Sequence, residues 1–150
     1  GPLVNIEGQV IGMNTATAGS AQNIGFAIPI HDIKTALDSV IKTGKIVRPY
    51  LGIRYVQLNK DIASANNIQT SEGALVYASG NQLAVLPGSP ASKAGLKEGD
   101  IITKLDNTIL NKDNSISSVL ARKKVGDSVE VVYLRDGETK TAKIKLEASN

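Results

Sequence analysis

His31 and Asp32 are the residue types with which a protein does acid–base chemistry, and they stand side by side at the head of the segment HDIKTALDSVIKTG. A catalytic histidine needs a nucleophile within hydrogen-bond reach and a third group to orient it. Asp32 is the next residue in sequence, and consecutive side chains on a helix do not face each other. The plainer reading of His31 is a helix-capping or solvated surface residue. The chain has one histidine and no cysteine. Neither a histidine cluster nor a thiolate site can be built from that, and no metal or cofactor is expected.

The rest of the composition narrows the partners. The 150 residues suit one ordinary domain, or a small domain plus a fragment. The charge of +3 comes from 17 basic and 14 acidic residues scattered among one another, an ordinary solvated surface. One Phe, four Tyr and no Trp supply few platforms for stacking bases, so nucleic acid is not expected as a partner. No stretch reaches the roughly 18 apolar residues that a membrane-spanning helix needs. The sequence opens without methionine inside an apolar, strand-like run, GPLVN, and reads as a piece of a longer protein.

The elements that would position a site fall into two blocks. In residues 1–30, GQVIGMNTA and NIGFAIPI read as strands separated by TATAGSAQ. Ile33, Ala36, Leu37, Val40 and Ile41 then mark one face of a helix, with Asp32 in its first turn and Gly44 as its stop. A boundary is expected near Lys45 to Pro49. Beyond it LGIRYVQL, GALVYAS, QLAVL, DIITKL, SVEVVYL and TAKIKLEA read as short strands. Two helical stretches interrupt them. In SPASKAG, Ser89 is the N-cap, Pro90 the first helical residue and Gly95 the stop; in NSISSVLARKK, Asn114 is the candidate cap and Ile116, Val119 and Leu120 share a face. RDGE is a hairpin signal. The expected class is mainly β with α, a small, partly open β-barrel with two helices.

RPYLGIRYV (residues 48–56) and GSPASKAGLKEGDIITKLDN (88–107) carry the sharpest signal. The second alone is good supersecondary structure. Together, and followed by the helix near 116 and VGDSVEVVYLRDGE, they resemble a bacterial-type PDZ domain over residues 48–147. The resemblance implies a loop whose backbone amides receive the C-terminal carboxylate of a peptide, which then adds as a strand. Tyr50, Leu51, Gly52 and Ile53 match that loop, and Ile53, Arg54, Tyr55 and Val56 would be the receiving strand. Gly52 has no Cβ, so a ligand can approach its main chain and successive amides can form an anion nest. Ile116 and Leu120 would form the opposite wall. Arg48 is read as a linker residue that could add positive charge near the carboxylate.

GPLVN, VIGMNTA and GFAIP resemble, in order, the end of the trypsin-like protease domain of the HtrA family. The implied plan is the last strands of that domain over 1–30, a linker helix over 31–47 and a PDZ domain over 48–150. In that family the nucleophilic serine immediately precedes GPLVN, so the triad would lie upstream of Gly1, and this chain alone is expected not to cut peptides. Residues 15–23 resemble the loop beside the specificity pocket. The implied parent is a homo-oligomeric serine endopeptidase of protein quality control in the cell envelope, periplasmic or extracytoplasmic, with a membrane anchor as an option. Its partners would be peptide or protein C-termini and unfolded proteins. A non-proteolytic PDZ adaptor or scaffold is the alternative. Because a lone hairpin is marginal, residues 1–30 are expected to pack on the helix or the PDZ domain, to pair with another copy, or to be disordered.

Overall fold

The computed structural model describes residues 1–17 and 24–149, with Thr35 described by its backbone alone. Residues 18–23 of the loop expected over 15–23 lie outside it. The chain divides into two compact units, Gly1–Val47 and Arg48–Asn150.

The first unit is an antiparallel sheet of β1 (Pro2–Val4), β2 (Val10–Thr17) and β3 (Gly25–Pro29), in that order, with helix α1 (Ile30–Thr43) against β2 and β3. The sequence reading expects two strands here; the third is cut off by a tight turn. Asn5 Oδ1 accepts the N–H groups of Glu7 at 3.0 Å and Gln9 at 2.9 Å, and Gly8 takes φ +76°. This is an Asx-type turn. Gly44 ends α1 at φ +73° and donates to the Val40 carbonyl, as its placement predicts. Pro29, with no side-chain bond, takes the capping position expected of His31. His31 Nε2 nevertheless reaches Asp32 Oδ1 at 3.1 Å in the first turn of α1, and both side chains are exposed. Met13, Phe26, Ile28, Leu37 and Ile41 remain exposed on this unit.

The second unit holds β4 (Pro49–Tyr50), β5 (Tyr55–Gln57), α2 (Lys60–Ala65), β6 (Ala74–Val76), α3 (Pro90–Lys93), β7 (Ile101–Leu105), β8 (Thr108–Ile109), α4 (Ile116–Leu120), β9 (Ser128–Arg135), β10 (Glu138–Lys145) and β11 (Glu147–Ala148). The main sheet runs β10-β9-β7-β6-β5, with β8 on β7, and β11 pairs separately with β4. The class is mainly β with short helices. Among the described residues the sheets stay open and no barrel closes, and β5 ends the path as an edge.

Alternation drives the core: Val129 and Val131 of β9 and Ile144 of β10 point inward with Ile102, Leu105 and Leu146. Each full burial of this kind is worth about 1.5–3 kcal/mol. RDGE forms the expected hairpin, Arg135 opposite Glu138, with Asp136 at φ +54° and Gly137 at φ +80° as in a two-residue type I′ turn.

Three expectations change. A third helix, α2, stands where the sequence reading has none; it is capped by Asn59, whose side chain accepts the Ile62 N–H at 2.8 Å. QLAVL forms only the isolated bridge Ile53–Val85, because Pro87 cannot donate and the chain turns at Ser89. The cap of α4 is Ser115, which accepts the Ser118 N–H, while Asn114 closes a turn onto Asn111 Oδ1 at 2.9 Å.

Candidate peptide-binding groove

The loop between β4 and β5 is built from beneath. The Ala91 N–H at the start of α3 donates to the Leu51 carbonyl at 2.9 Å, and the Leu86 N–H donates to the Gly52 carbonyl at 2.9 Å. In a planar trans peptide the C=O and the following N–H point in opposite directions. Holding the Leu51 and Gly52 carbonyls inward therefore turns the N–H groups of Gly52 and Ile53 outward. Gly52 takes φ +81°, so the chain bends between these two amides instead of running on as an extended strand.

Ser89 packs under this bend. It is 1% exposed, caps α3 through the Ser92 N–H at 3.2 Å, and donates its hydroxyl to the Gly52 carbonyl at 3.3 Å. A Cβ on Gly52 would fall 2.2 Å from Ser89 Cβ. Among the described residues none accepts from the Leu51, Gly52 or Ile53 N–H, whereas the Arg54 N–H is bound to the Ala84 carbonyl at 2.7 Å.

Beyond the nest the main chain presents a free edge. The Arg54 carbonyl accepts from Tyr77 at 3.1 Å and the Leu58 N–H donates to Gly73 at 2.9 Å, so Arg54, Val56 and Leu58 turn their polar groups toward β6. By alternation, Ile53, Tyr55 and Gln57 turn theirs away from the sheet. A chain ending at the nest and running back along this edge would lie antiparallel to β5.

The wall across from β5 is α4. The Tyr55 hydroxyl lies 3.0 Å from Ser117 Oγ, linking strand to helix, and Ile53 and Tyr55 pack against the buried cluster. Ile116 and Leu120 are 2% and 9% exposed, so they form the base of the wall more than its surface. Leu51, at 2% exposure, belongs to the same cluster.

Leu51, Ile116 and Leu120 thus share one buried cluster, with Ile53 and Tyr55 packed against it and Gly52 between them in the chain. Tyr50 pairs with Glu147 behind the loop, and its ring is close to Gly52. Arg54 does not join them: its guanidinium donates to the Leu83 carbonyl. Val56 likewise contributes to the sheet and not to the open edge. Ser89, Ala91, Gln57 and Ser117 have roles here that the sequence reading does not give them. Ser89 was visible as a cap; its contact with Gly52 depends on tertiary packing.

An open edge strand following a glycine-bent loop, with a short helix across from it, is what a PDZ domain presents. Residues 49–146 match the PDZ domain family model, and the chain belongs to that family. Over its whole length it is similar to HtrA-type serine proteases. It is 40% identical to the serine protease Do-like HtrA of Lactococcus lactis (strain IL1403), covering 99% of this chain and 38% of that protein. It is 38% identical to the periplasmic pH-dependent serine endoprotease DegQ of Escherichia coli (strain K12), covering 99% of this chain and 32% of that protein. Among solved structures, HtrA-type protease AlgW with decapeptide superposes with a TM-score of 0.73 at 27% identity, covering 99% of this chain and 45% of that one. The chain spans about a third of the length of these curated relatives.

Proposed function

We propose that this chain binds the free C-termini of peptides with an apolar last residue, as the regulatory part of an HtrA-like serine endopeptidase of the cell envelope. The observation that carries the reading is the pair of outward N–H groups at Gly52 and Ile53, without an acceptor among the described residues, beside the open edge of β5. A terminal carboxylate satisfies both. The last side chain then falls on the face of Ile53, over the apolar cluster that holds Leu51 and Leu120. Each charge-assisted bond contributes about 1.5–3 kcal/mol, and association costs at least about 4 kcal/mol. The two bonds by themselves little more than offset that cost, so binding depends on the apolar anchor and the strand pairing as well, and the affinity is modest.

Residues 1–30 are the closing strands of a trypsin-like barrel in this reading and 31–47 its linker helix. The exposed Met13, Phe26 and Ile28 then meet the remaining strands of the parent's protease domain. His31, exposed and with Asp32 as its partner, is not a catalytic base, and cutting is done by residues of the parent outside this chain. The parent acts on unfolded proteins as an oligomer, which multiplies weak groove affinities. Names of relatives such as the periplasmic DegQ support the location.

Titration of a hydrophobic-ended peptide against its C-terminally amidated twin tests the reading. Amidation is expected to weaken binding at least about tenfold; equal affinities would refute the carboxylate assignment.

A further inference from the structure

We propose that a polar cleft between α4 and the β7–β8 turn is a second docking site, one that takes an acidic stretch of a protein chain by its Asp or Glu carboxylates. The cleft measures about 670 Å³, the size of an ordinary ligand site. It is lined by Ser118 of α4, by Arg122 and Lys123 just after that helix, by Asp106 and Asn107 of the turn, and by Glu130 of β9. It lies apart from the peptide groove: Ser117, the residue of α4 that reaches Tyr55, does not line it, and neither does any residue from 50 to 57.

Charge and hydrogen bonding define the occupant. Asp106 is already spent: its carboxylate accepts the Glu130 N–H at 2.8 Å and the Lys123 ammonium, which ties the chain after α4 to the turn. Glu130 stands directly opposite Lys143 in the β9–β10 register, and opposed residues share a face of the sheet. Arg122 is the cation left over. It is exposed, and among the described residues its guanidinium makes no hydrogen bond and no ion pair. Such a fork receives a carboxylate through two parallel N–H bonds. Lys123 keeps two further N–H donors, and the Asn107 side-chain amide, also without a partner among the described residues, supplies more. Lys143 and Lys145 face outward on either side of the buried Ile144 and carry the positive surface on beyond the cleft. Arg122, Lys123, Lys143 and Lys145 thus outweigh Asp106 and Glu130, so a segment with several carboxylates gains more here than a lone small acid.

The probe is a short peptide of Glu and Asp, acetylated at one end and amidated at the other so that it brings no terminal carboxylate to Gly52 and Ile53. Its Gln/Asn counterpart and citrate are the comparisons, each titrated into the full, nitrogen-labelled chain and read by NMR. The acidic peptide is expected to move the Asn107, Ser118 and Arg122 amides and to leave Gly52 and Ile53 in place, while the Gln/Asn peptide binds at least about fivefold more weakly. Arg122→Gln should weaken the acidic peptide about fivefold, and Glu130→Gln, which removes an acid from the cleft, should tighten it about twofold. Both side chains are exposed, so neither change disturbs the core. Equal binding of the two peptides, shifts that bypass the cleft, or an affinity indifferent to Arg122→Gln overturns the assignment. Citrate binding as tightly as the acidic peptide gives the cleft to small anions and overturns it too. Groove and cleft fail separately: a chain that ignores amidation of a hydrophobic-ended peptide still has to meet these outcomes.

Discussion

Adding one methyl group at Gly52 should damage both the stability of the second unit and its recognition of carboxylates. At φ +81° an L-residue carries a strain of about 1–2 kcal/mol. The new Cβ would also lie 2.2 Å from Ser89 Cβ and 2.7 Å from Ser89 Oγ. A hydroxyl can rotate away, but Ser89 Cβ is fixed by a backbone that caps α3, so the loop must move; overpacking of this kind costs about 1–3 kcal/mol. Gly52→Ala is therefore expected to destabilise by about 2–5 kcal/mol. Any movement that relieves the clash also turns the Gly52 and Ile53 N–H groups away from each other. Urea unfolding reads the first effect, and titration with the free-acid and amidated peptides reads the second, as a collapse of the ratio between them. Ser89→Gly in the Gly52→Ala background removes the clash and leaves the strain, so it should recover part of the stability. A Gly52→Ala chain as stable as the original, with an unchanged ratio, would refute the geometry assigned to this loop.

Two further expectations concern the scaffold. Arg135 donates from Nε and Nη2 to Asp100 at 2.7 Å each and from Nη2 to the Gly95 carbonyl at 2.8 Å, while Asp100 is 1% exposed. Arg135→Ala strands a buried carboxylate and should cost about 3 kcal/mol, lowering the melting temperature by more than about 10 °C; a shift under about 2 °C would contradict it. The hydrogen bond from Lys123, reinforced by the Glu130 N–H, holds the Asp106 carboxyl below its ordinary range. A carboxyl lowered on folding stabilises at pH values above its unfolded pKa, near 3.8, and that contribution is lost as pH falls through the folded value. Since the pair is partly exposed, Asp106→Asn should cost under about 1 kcal/mol at neutral pH, and nothing once the carboxyl is protonated. A difference that persists below pH 2 would place the effect elsewhere.

What the sequence discloses follows the range of the forces involved. Ser89, Pro90 and Gly95 delimit α3 through contacts within a few residues, and Asp136-Gly137 closes its hairpin locally, so both are readable from types and spacing. Gly44 stops α1 for the same reason. Helix α2 has six residues, too few to display a period, and its cap is an asparagine in a polar stretch that reads as a loop. Ser115 and Asn114 are both competent caps; the choice falls to Ser115 because Asn114 is drawn into the turn with Asn111. In the groove, the glycine of the nest is legible because its backbone requirement is local. That Arg54 turns away while Tyr55 turns inward depends on which side β6 pairs. The Tyr55–Ser117 contact joins residues 62 apart and has no local signature at all.

The central claim concerns two N–H groups, and they can be watched individually by NMR of the nitrogen-labelled chain during the peptide titration. The Gly52 and Ile53 amide protons should move strongly with the free-acid peptide and little with its amide, while the Arg54 amide, already bonded to Ala84, changes least of the three. Shifts that are the same for acid and amide, or that bypass Gly52 and Ile53, would contradict the account.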